Sequence, residues 1–76
     1  MVVRYFAVLR ERRGRDEEQV EVEPGETLGA LYDRLFPPTP EGRLPVAFAL
    51  NREYARAGDL PADGDEVVFV PPIGGG

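Results

Sequence analysis

The hydrophobic positions of this chain alternate in short runs, as in strands, and follow helical spacing in one place. Residues 2–10 are rich in β-branched and aromatic residues, which is typical of a strand. Apolar residues fall on both faces of this strand, so we expect it to lie inside a sheet or to meet a partner on one face. The segment "ERRGRDEE" that follows is predicted to be a charged connector, in which Gly14 can adopt a positive φ. Residues 19–23 alternate cleanly, with Val20 and Val22 inward, and are predicted to pair with the first strand as a hairpin.

The one predicted helix occupies the segment "ETLGALYDRLF". Its apolar positions have helical spacing: Leu28, Leu31, Leu35 and Phe36. Thr27 is a suitable N-cap, and Pro37 and Pro38 end the helix. Gly29 lowers helix propensity by about 1 kcal/mol, so we expect close packing of the helix against the sheet there.

Three further strands are predicted in the second half of the chain. They cover residues 46–50, a short stretch around Tyr54 after a turn, and residues 66–70. The dipeptide Asp63-Gly64 is typical of a tight turn. In the last strand the alternation predicts that Val67 and Phe69 face the core, while Val68 and Val70 face outward.

This order of elements is strand, strand, helix, strand, short strand, strand. It predicts an α+β fold in which a mixed sheet of four to five strands carries one main helix packed on one face, and the β-grasp arrangement fits it. The length of 76 residues corresponds to one domain. We assign residues 1–70 to this domain and residues 71–76 to a flexible C-terminal tail, because Pro71 and Pro72 cannot continue a strand ladder.

The sheet face without a helix is a candidate binding surface. Phe6 and Val70 are predicted to point outward on this face and Tyr54 to border it, and an exposed apolar patch of these three residues would mark an interaction site. The alternative is ordinary scatter, since much of any protein surface is apolar.

The composition argues against catalysis by this chain alone. The sequence contains no His, Cys, Ser, Lys or Trp, and all nine basic residues are Arg. The usual nucleophiles and the usual general acid–base residue are therefore missing. Thiolate and imidazole ligands are also missing, so we expect no metal site.

Charge and hydropathy narrow the expected partners and location. The net charge of −5 argues against a nucleic-acid partner and suits a partner with a basic surface. No apolar run approaches the roughly 20 residues of a membrane span, and the N-terminus does not read as a signal peptide. Without cysteine, a cytoplasmic location is the expectation.

The sequence ends in three glycines after two prolines and Ile73. A glycine backbone is thin enough to enter a narrow channel, and the terminal carboxylate of Gly76 could be converted by an ATP-using enzyme into a reactive acyl adenylate. The alternative is a frayed terminus or an expression scar.

Three stretches, together with the order of the elements, resemble the small subunit of molybdopterin synthase, a family of ubiquitin-like sulfur carriers. They are "FAVLRE" at residues 6–11, "DGDEV" at residues 63–67, and the tail with two prolines, one apolar residue and a terminal glycine pair. The resemblance covers essentially the whole chain. One departure is Gly74, which stands where the family varies and gives three glycines in place of two.

The resemblance implies a role for the tail. Gly76 would be adenylated by an ATP-dependent adenylyltransferase of the ubiquitin-activating type and converted to a thiocarboxylate. The tail would insert into the active site of the large subunit of a heterotetrameric synthase: Pro71, Pro72, Ile73, Gly74, Gly75 and Gly76. There the sulfur would pass to cyclic pyranopterin monophosphate, in molybdenum cofactor biosynthesis.

The same resemblance assigns the other roles. The chain would bind no cofactor stably and would not be an enzyme on its own, because the large subunit would supply the catalytic side chains. Phe6, Tyr54 and Val70 would form the docking surface.

Other functions remain open at this stage. Carriers with a terminal glycine pair also deliver sulfur for tRNA thiolation, for thiamine or for cysteine synthesis, although the thiamine type usually lacks the two prolines. A carrier that conjugates to proteins could share the tail. A non-catalytic β-grasp binding module is the alternative of a different class.

Overall fold

A computed structural model describes residues 1–72, which form one mixed sheet and two helices. The elements are β1 Val2–Arg4, α1 Ala7–Arg13, β2 Glu17–Gln19, α2 Leu28–Leu35, β3 Ala47–Leu50, β4 Glu53–Ala55 and β5 Glu66–Val70. The strand order is β2-β1-β5-β3-β4, in which β1 and β5 are parallel and the other neighbours antiparallel. The predicted α+β sheet is therefore confirmed, with five strands. Neither helix of residues 1–72 is long and apolar enough to cross a membrane.

The strand predicted over residues 2–10 is confirmed only for Val2–Arg4 and is wrong beyond it, because α1 begins at Ala7. Ala7 has a φ of 49°, a left-handed conformation that turns the chain out of the strand. Gly14, with a φ of 76°, ends α1 and its N–H donates to the carbonyl of Arg10 at 2.8 Å. Arginines in the last turn also stabilise the helix through its dipole. Residues 11–13, predicted to lie in a charged connector, belong to this helix.

The second strand is shifted from its predicted position. It covers Glu17–Gln19 rather than residues 19–23, because its ladder partner β1 extends only from Val2 to Arg4. Val20 still exchanges backbone hydrogen bonds with Met1, at 2.9 and 3.1 Å. Val20 is buried and Val22 packs against the core, so their predicted inward orientation is confirmed.

Helix α2 forms as predicted, from Leu28 to Leu35. The Oγ1 atom of its N-cap Thr27 accepts a hydrogen bond from the N–H of Ala30 at 3.1 Å. A Cβ atom on Gly29 would lie 3.3 Å from the Cβ of Ala57, so a close approach exists there. Gly29 thus packs against the loop after β4, whereas packing against the sheet was predicted from the sequence.

The core lies between the sheet and the helices and is built on aromatic rings. The ring of Phe69 on β5 contacts four others, with centroid distances from 5.1 to 6.5 Å: Tyr5, Tyr32, Phe36 and Phe48. Phe69 and Val67 are both fully buried, whereas Val68 and Val70 are half-buried. The predicted alternation of β5 is confirmed.

A polar cluster at the edge of the core fastens α1 to the hairpin. Glu18 accepts hydrogen bonds from the Tyr5 hydroxyl at 2.6 Å and from the Arg13 Nε at 2.9 Å. Arg13 also lies over the ring of Tyr5 and donates to the carbonyl of Leu35. Burial alone would raise the pKa of Glu18, but the hydrogen bonds from Tyr5 and Arg13 and the charges of Arg13 and Arg15 together lower this pKa.

Acid is therefore expected to weaken the fold through Glu18. A carboxylate whose pKa is lowered by folding stabilises the protein above its unfolded pKa, and this contribution is lost as the pH falls through the folded pKa. Replacing Glu18 with Gln should lower the free energy of unfolding at pH 7 by about 1–2 kcal/mol, since charge-assisted hydrogen bonds are lost. The loss should shrink below the ordinary pKa of 4.5. Urea unfolding at a series of pH values measures both effects.

Glu17 provides a matched control for this experiment. It is the neighbouring carboxylate, about half exposed, and its contact with Arg4 is a longer ion pair of 3.5 Å. Glu17→Gln should change stability by less than about 0.5 kcal/mol at any of these pH values. Equal effects of the two substitutions would contradict the role assigned to Glu18.

Candidate functional site

The sheet surface opposite α2 is the candidate site, and we call it the outer face. The register places one residue from each of four strands in a row across it: Arg4, Val68, Ala49 and Tyr54. Ala47 and Val70 form the next pair, nearer the end of β5. In residues 1–72 the helices pack on the other side of the sheet, where the core residues lie, so this face is open to a partner.

Tyr54 and Val70, both predicted site residues, are brought together on the outer face. They line a shallow depression of about 260 Å³ with Ala49 and Arg52. Tyr54 is 87% exposed, an unusual value for a large aromatic side chain in a folded protein. The depression therefore offers apolar contact area together with one aromatic hydroxyl and one guanidinium.

Phe6, the third predicted site residue, lies beyond the strands at the start of α1. Phe6 is 51% exposed and is the N-cap residue of α1. Its backbone is extended, and its side chain makes no capping hydrogen bond. The ladder between β1 and β5 ends at Arg4 and Val68, two residues before Phe6, and Phe6 does not line the depression that contains Tyr54 and Val70. The structure therefore brings Tyr54 and Val70 together, but not Phe6. That the three residues bind a partner stays a prediction.

A charged row borders the apolar part of the outer face. Glu66 accepts a hydrogen bond from the Nε of Arg4 at 2.7 Å and a longer one from the Nε of Arg52 at 3.4 Å. Arg4 also contacts Glu17 at 3.5 Å. The hydrogen bond from Arg4, followed by the charges of both arginines, lowers the pKa of Glu66. This face thus carries as many arginines as carboxylates, although the protein as a whole is acidic.

The β3–β4 turn fixes the position of Arg52. Asn51 and Arg52 have φ values of 53° and 70°, as a two-residue type I′ hairpin turn requires. The Asn51 side chain accepts from the N–H of Glu66 at 2.9 Å and donates to Asp65 at 3.0 Å, which holds the turn against β5. The turn was predicted from the sequence, but Arg52 was not among the predicted site residues. The signal available was an arginine at a turn position that favours glycine.

The end of β5 leads directly into the predicted tail. Pro71 is buried and Pro72 is exposed, so the inward alternation of Val67 and Phe69 continues to Pro71. The remaining predicted tail residues, 73–76, lie outside the described residues. The role of Gly76 and the boundary between domain and tail stay predictions.

The described residues offer a binding surface. In residues 1–72 no group of three or more acidic, His or Cys residues could hold a metal ion. The outer face combines apolar area with arginines and hydrogen-bonded carboxylates. Such a surface can hold a partner protein beside the point where the chain leaves the sheet.

Comparison with known proteins identifies the family. The sequence profile of the ThiS family matches residues 3–76. This chain belongs to the ThiS family. The molybdopterin synthase sulfur carrier subunit of Chlamydomonas reinhardtii is 40% identical, with 97% of this chain and 95% of that protein covered. The subunit of the same name from Mycobacterium tuberculosis is 36% identical, over 97% and 94% of the two chains. The predicted membership in the sulfur carrier family is confirmed.

Solved structures confirm the ubiquitin-like β-grasp fold. SAMP1 from Haloferax volcanii is 29% identical with a TM-score of 0.77, over 99% of this chain and 97% of that one. A putative molybdopterin converting factor subunit 1 from Pyrococcus furiosus is 26% identical with a TM-score of 0.74, over 95% of each chain. Subunit 1 in a complex with subunit 2 of the molybdopterin-converting factor of Helicobacter pylori has the same fold, with a TM-score of 0.61 at 23% identity, over 99% and 96% of the chains.

Proposed function

We propose that this ThiS-family sulfur carrier acts as the small subunit of molybdopterin synthase and donates sulfur from a thiocarboxylate at Gly76. An ATP-dependent adenylyltransferase of the ubiquitin-activating type would first activate the Gly76 carboxylate as an acyl adenylate. A sulfur donor would then displace AMP and leave the thiocarboxylate. The large synthase subunit would supply the catalytic side chains, and the acceptor would be cyclic pyranopterin monophosphate.

The observation that carries this proposal is the near full-length similarity to curated molybdopterin synthase sulfur carrier subunits. The relatives from C. reinhardtii and M. tuberculosis share 40% and 36% of their residues with this chain. The fold supports the proposal, because the open outer face ends where β5 leads into the tail. A partner that covers this face would stand next to the tail it has to receive.

The proposed partners are therefore two proteins that use one end of the molecule. The large synthase subunit would dock on the outer face and receive the tail, and the adenylyltransferase would need the same tail at an earlier step. The two would bind in turn. The proposal includes the cytoplasmic location that the composition predicts.

Intact-mass analysis tests the proposal directly. The full chain is incubated with the cognate adenylyltransferase, ATP and a sulfur donor. We expect a mass gain equal to the difference between one sulfur and one oxygen atom, located at Gly76 by fragmentation. The product should then convert cyclic pyranopterin monophosphate in the presence of the large subunit. An unchanged mass under conditions that modify a known carrier would refute the carrier function.

Attachment to other proteins is a second candidate function. It is favoured by the similarity to two Haloferax volcanii structures, one of them described as small archaeal modifier protein 1, at 28% identity and a TM-score of 0.78. An acyl adenylate at Gly76 can be attacked by an amine as well as by sulfide. Immunoblots of the native host under conditions that induce conjugation would separate the two. Higher-mass adducts that depend on Gly76 would support the modifier.

Replacing Phe6 with Asp is expected to weaken binding of the large subunit at least about tenfold. The substitution places a charge at a residue of the proposed docking surface, where it would have to be desolvated. The fold should not suffer, because Phe6 is half-exposed and aspartate is a favourable helix N-cap at this position. Isothermal titration of the large subunit, with thermal unfolding in parallel, measures both effects.

Leu60 supplies the matched control for Phe6. Its side chain is 60% exposed, and it lies in the loop before β5, outside the predicted patch. Leu60→Asp makes the same change of charge and should leave binding within about twofold. Equal losses for the two variants would mean that charge, and not the outer face, decides affinity.

A further inference from the structure

Arg52 occupies a position that its backbone would leave to glycine. The second residue of a type I′ turn needs a positive φ, which glycine adopts without strain, and Arg52 has a φ of 70°. Its side chain is 87% exposed and its ion pair with Glu66 is long, at 3.4 Å. Such an exposed pair contributes little to stability. The fold therefore does not explain why an arginine stands here, and a strained residue in a surface turn points to function.

The surroundings of Arg52 are those of a binding site. It lines the depression on the outer face with Tyr54, Ala49 and Val70. Tyrosine and arginine are the residue types that most often dominate binding energy at protein interfaces. Arg52 thus stands at the rim of the apolar area that the proposed partner would cover.

The charges around Arg52 define what the partner must bring. Glu66 receives its short hydrogen bond, 2.7 Å, from Arg4, so it is already engaged when Arg52 approaches its other oxygen. A partner that covers this face would remove water from around the Arg52 guanidinium. This desolvation is costly unless a carboxylate of the partner replaces the lost water contacts. The overall charge of −5 suggests a basic partner, but at this spot the requirement is the reverse.

We propose that Arg52 is a specificity-determining residue that pairs with a carboxylate of the large synthase subunit at the rim of the docking surface. This inference rests on the proposed function, and it names the chemistry of the partner at one position. The carboxylate lies beside an apolar area that packs on Tyr54 and Val70. A surface with the apolar area but a basic group at this position is rejected.

Charge reversal with salt titration tests the proposal. The full chain and its Arg52→Glu variant are titrated with the purified cognate large subunit at low and high ionic strength. We expect Arg52→Glu to weaken binding at least about tenfold at low salt and clearly less at high salt, because the lost ion pair becomes repulsive and salt screens it. A change of less than about twofold at low salt overturns the proposal. If the unchanged chain itself fails to bind, the proposed function fails instead.

A second variant separates binding from folding. Arg52→Gly restores the residue that the turn favours, so its unfolding temperature should rise by about 3 °C while its affinity for the large subunit falls at least about threefold. Arg43→Glu is the control for net charge, since Arg43 lies before β3 and pairs with Asp33 at 3.0 Å. Equal weakening by Arg43→Glu and Arg52→Glu overturns the assignment to Arg52.

Discussion

Removal of both Gly75 and Gly76 is expected to abolish sulfur transfer and to leave the fold unchanged. The shortened chain would end in Ile73-Gly74, with a side chain where the activating enzyme would meet only glycine backbone. The free energy of unfolding should stay within about 0.5 kcal/mol of that of the full chain. The removed residues lie beyond β5 and beyond Pro71, the buried residue that follows this strand. Thiocarboxylate formation followed by mass, together with urea unfolding, measures the two outcomes.

Removal of a single glycine is the matched control. Because three glycines stand in a row, deleting any one of them gives the same chain, which still ends in a glycine pair. Its tail is shorter by one residue, about 3.5 Å of reach. We expect it to be thiolated normally and to lose activity only in the synthase reaction, to the extent that reach matters there. If the chain without both glycines were thiolated equally well, the glycine pair would not be the recognised element.

Elements with a clear hydrophobic alternation were predicted better than elements that depend on the conformation of a single turn or cap. The alternation of Val67 to Val70 placed β5 correctly, because one face of that strand is fully buried and a slip of one residue would expose it. Helix α1 was missed because Val8 and Leu9 are apolar and adjacent, which fits a strand and a short helix equally well. Its ending glycine and last-turn arginines were visible in the sequence but were interpreted as a connector.

The candidate site likewise contains residues that were predicted from the sequence and one that was not. Val70 was predicted from parity along its strand and Tyr54 from its place beside the open face, and the sheet puts them on the same face with β3 between their strands. Arg52 escaped notice because its importance depends on its φ and on the arginine that already holds Glu66. The turn is a local signal, but the pairing is not, since Arg4 lies 62 residues from Glu66.

Replacing Phe69 with Ala is expected to remove a large part of the protein's free energy of unfolding at 25 °C. Phe69 is fully buried and its ring contacts four other aromatic rings, so truncation removes apolar burial and leaves a cavity in the centre of the core. Such Phe→Ala changes cost about 3–5 kcal/mol. A domain of this size has only about 4–11 kcal/mol of stability in total. Circular dichroism in a urea series measures the loss.

The neighbouring residue on the same strand shows whether the effect belongs to the core. Val70 is half-buried on the outer face, so Val70→Ala should cost about 1 kcal/mol or less and leave the protein folded. The same Val70→Ala variant should bind the large subunit less tightly, because it removes apolar area from the depression beside Tyr54. In β5, the residue that faces the core would then affect folding, and the residue on the outer face would affect docking. A small stability loss for Phe69→Ala, below about 1 kcal/mol, would contradict the aromatic core described here.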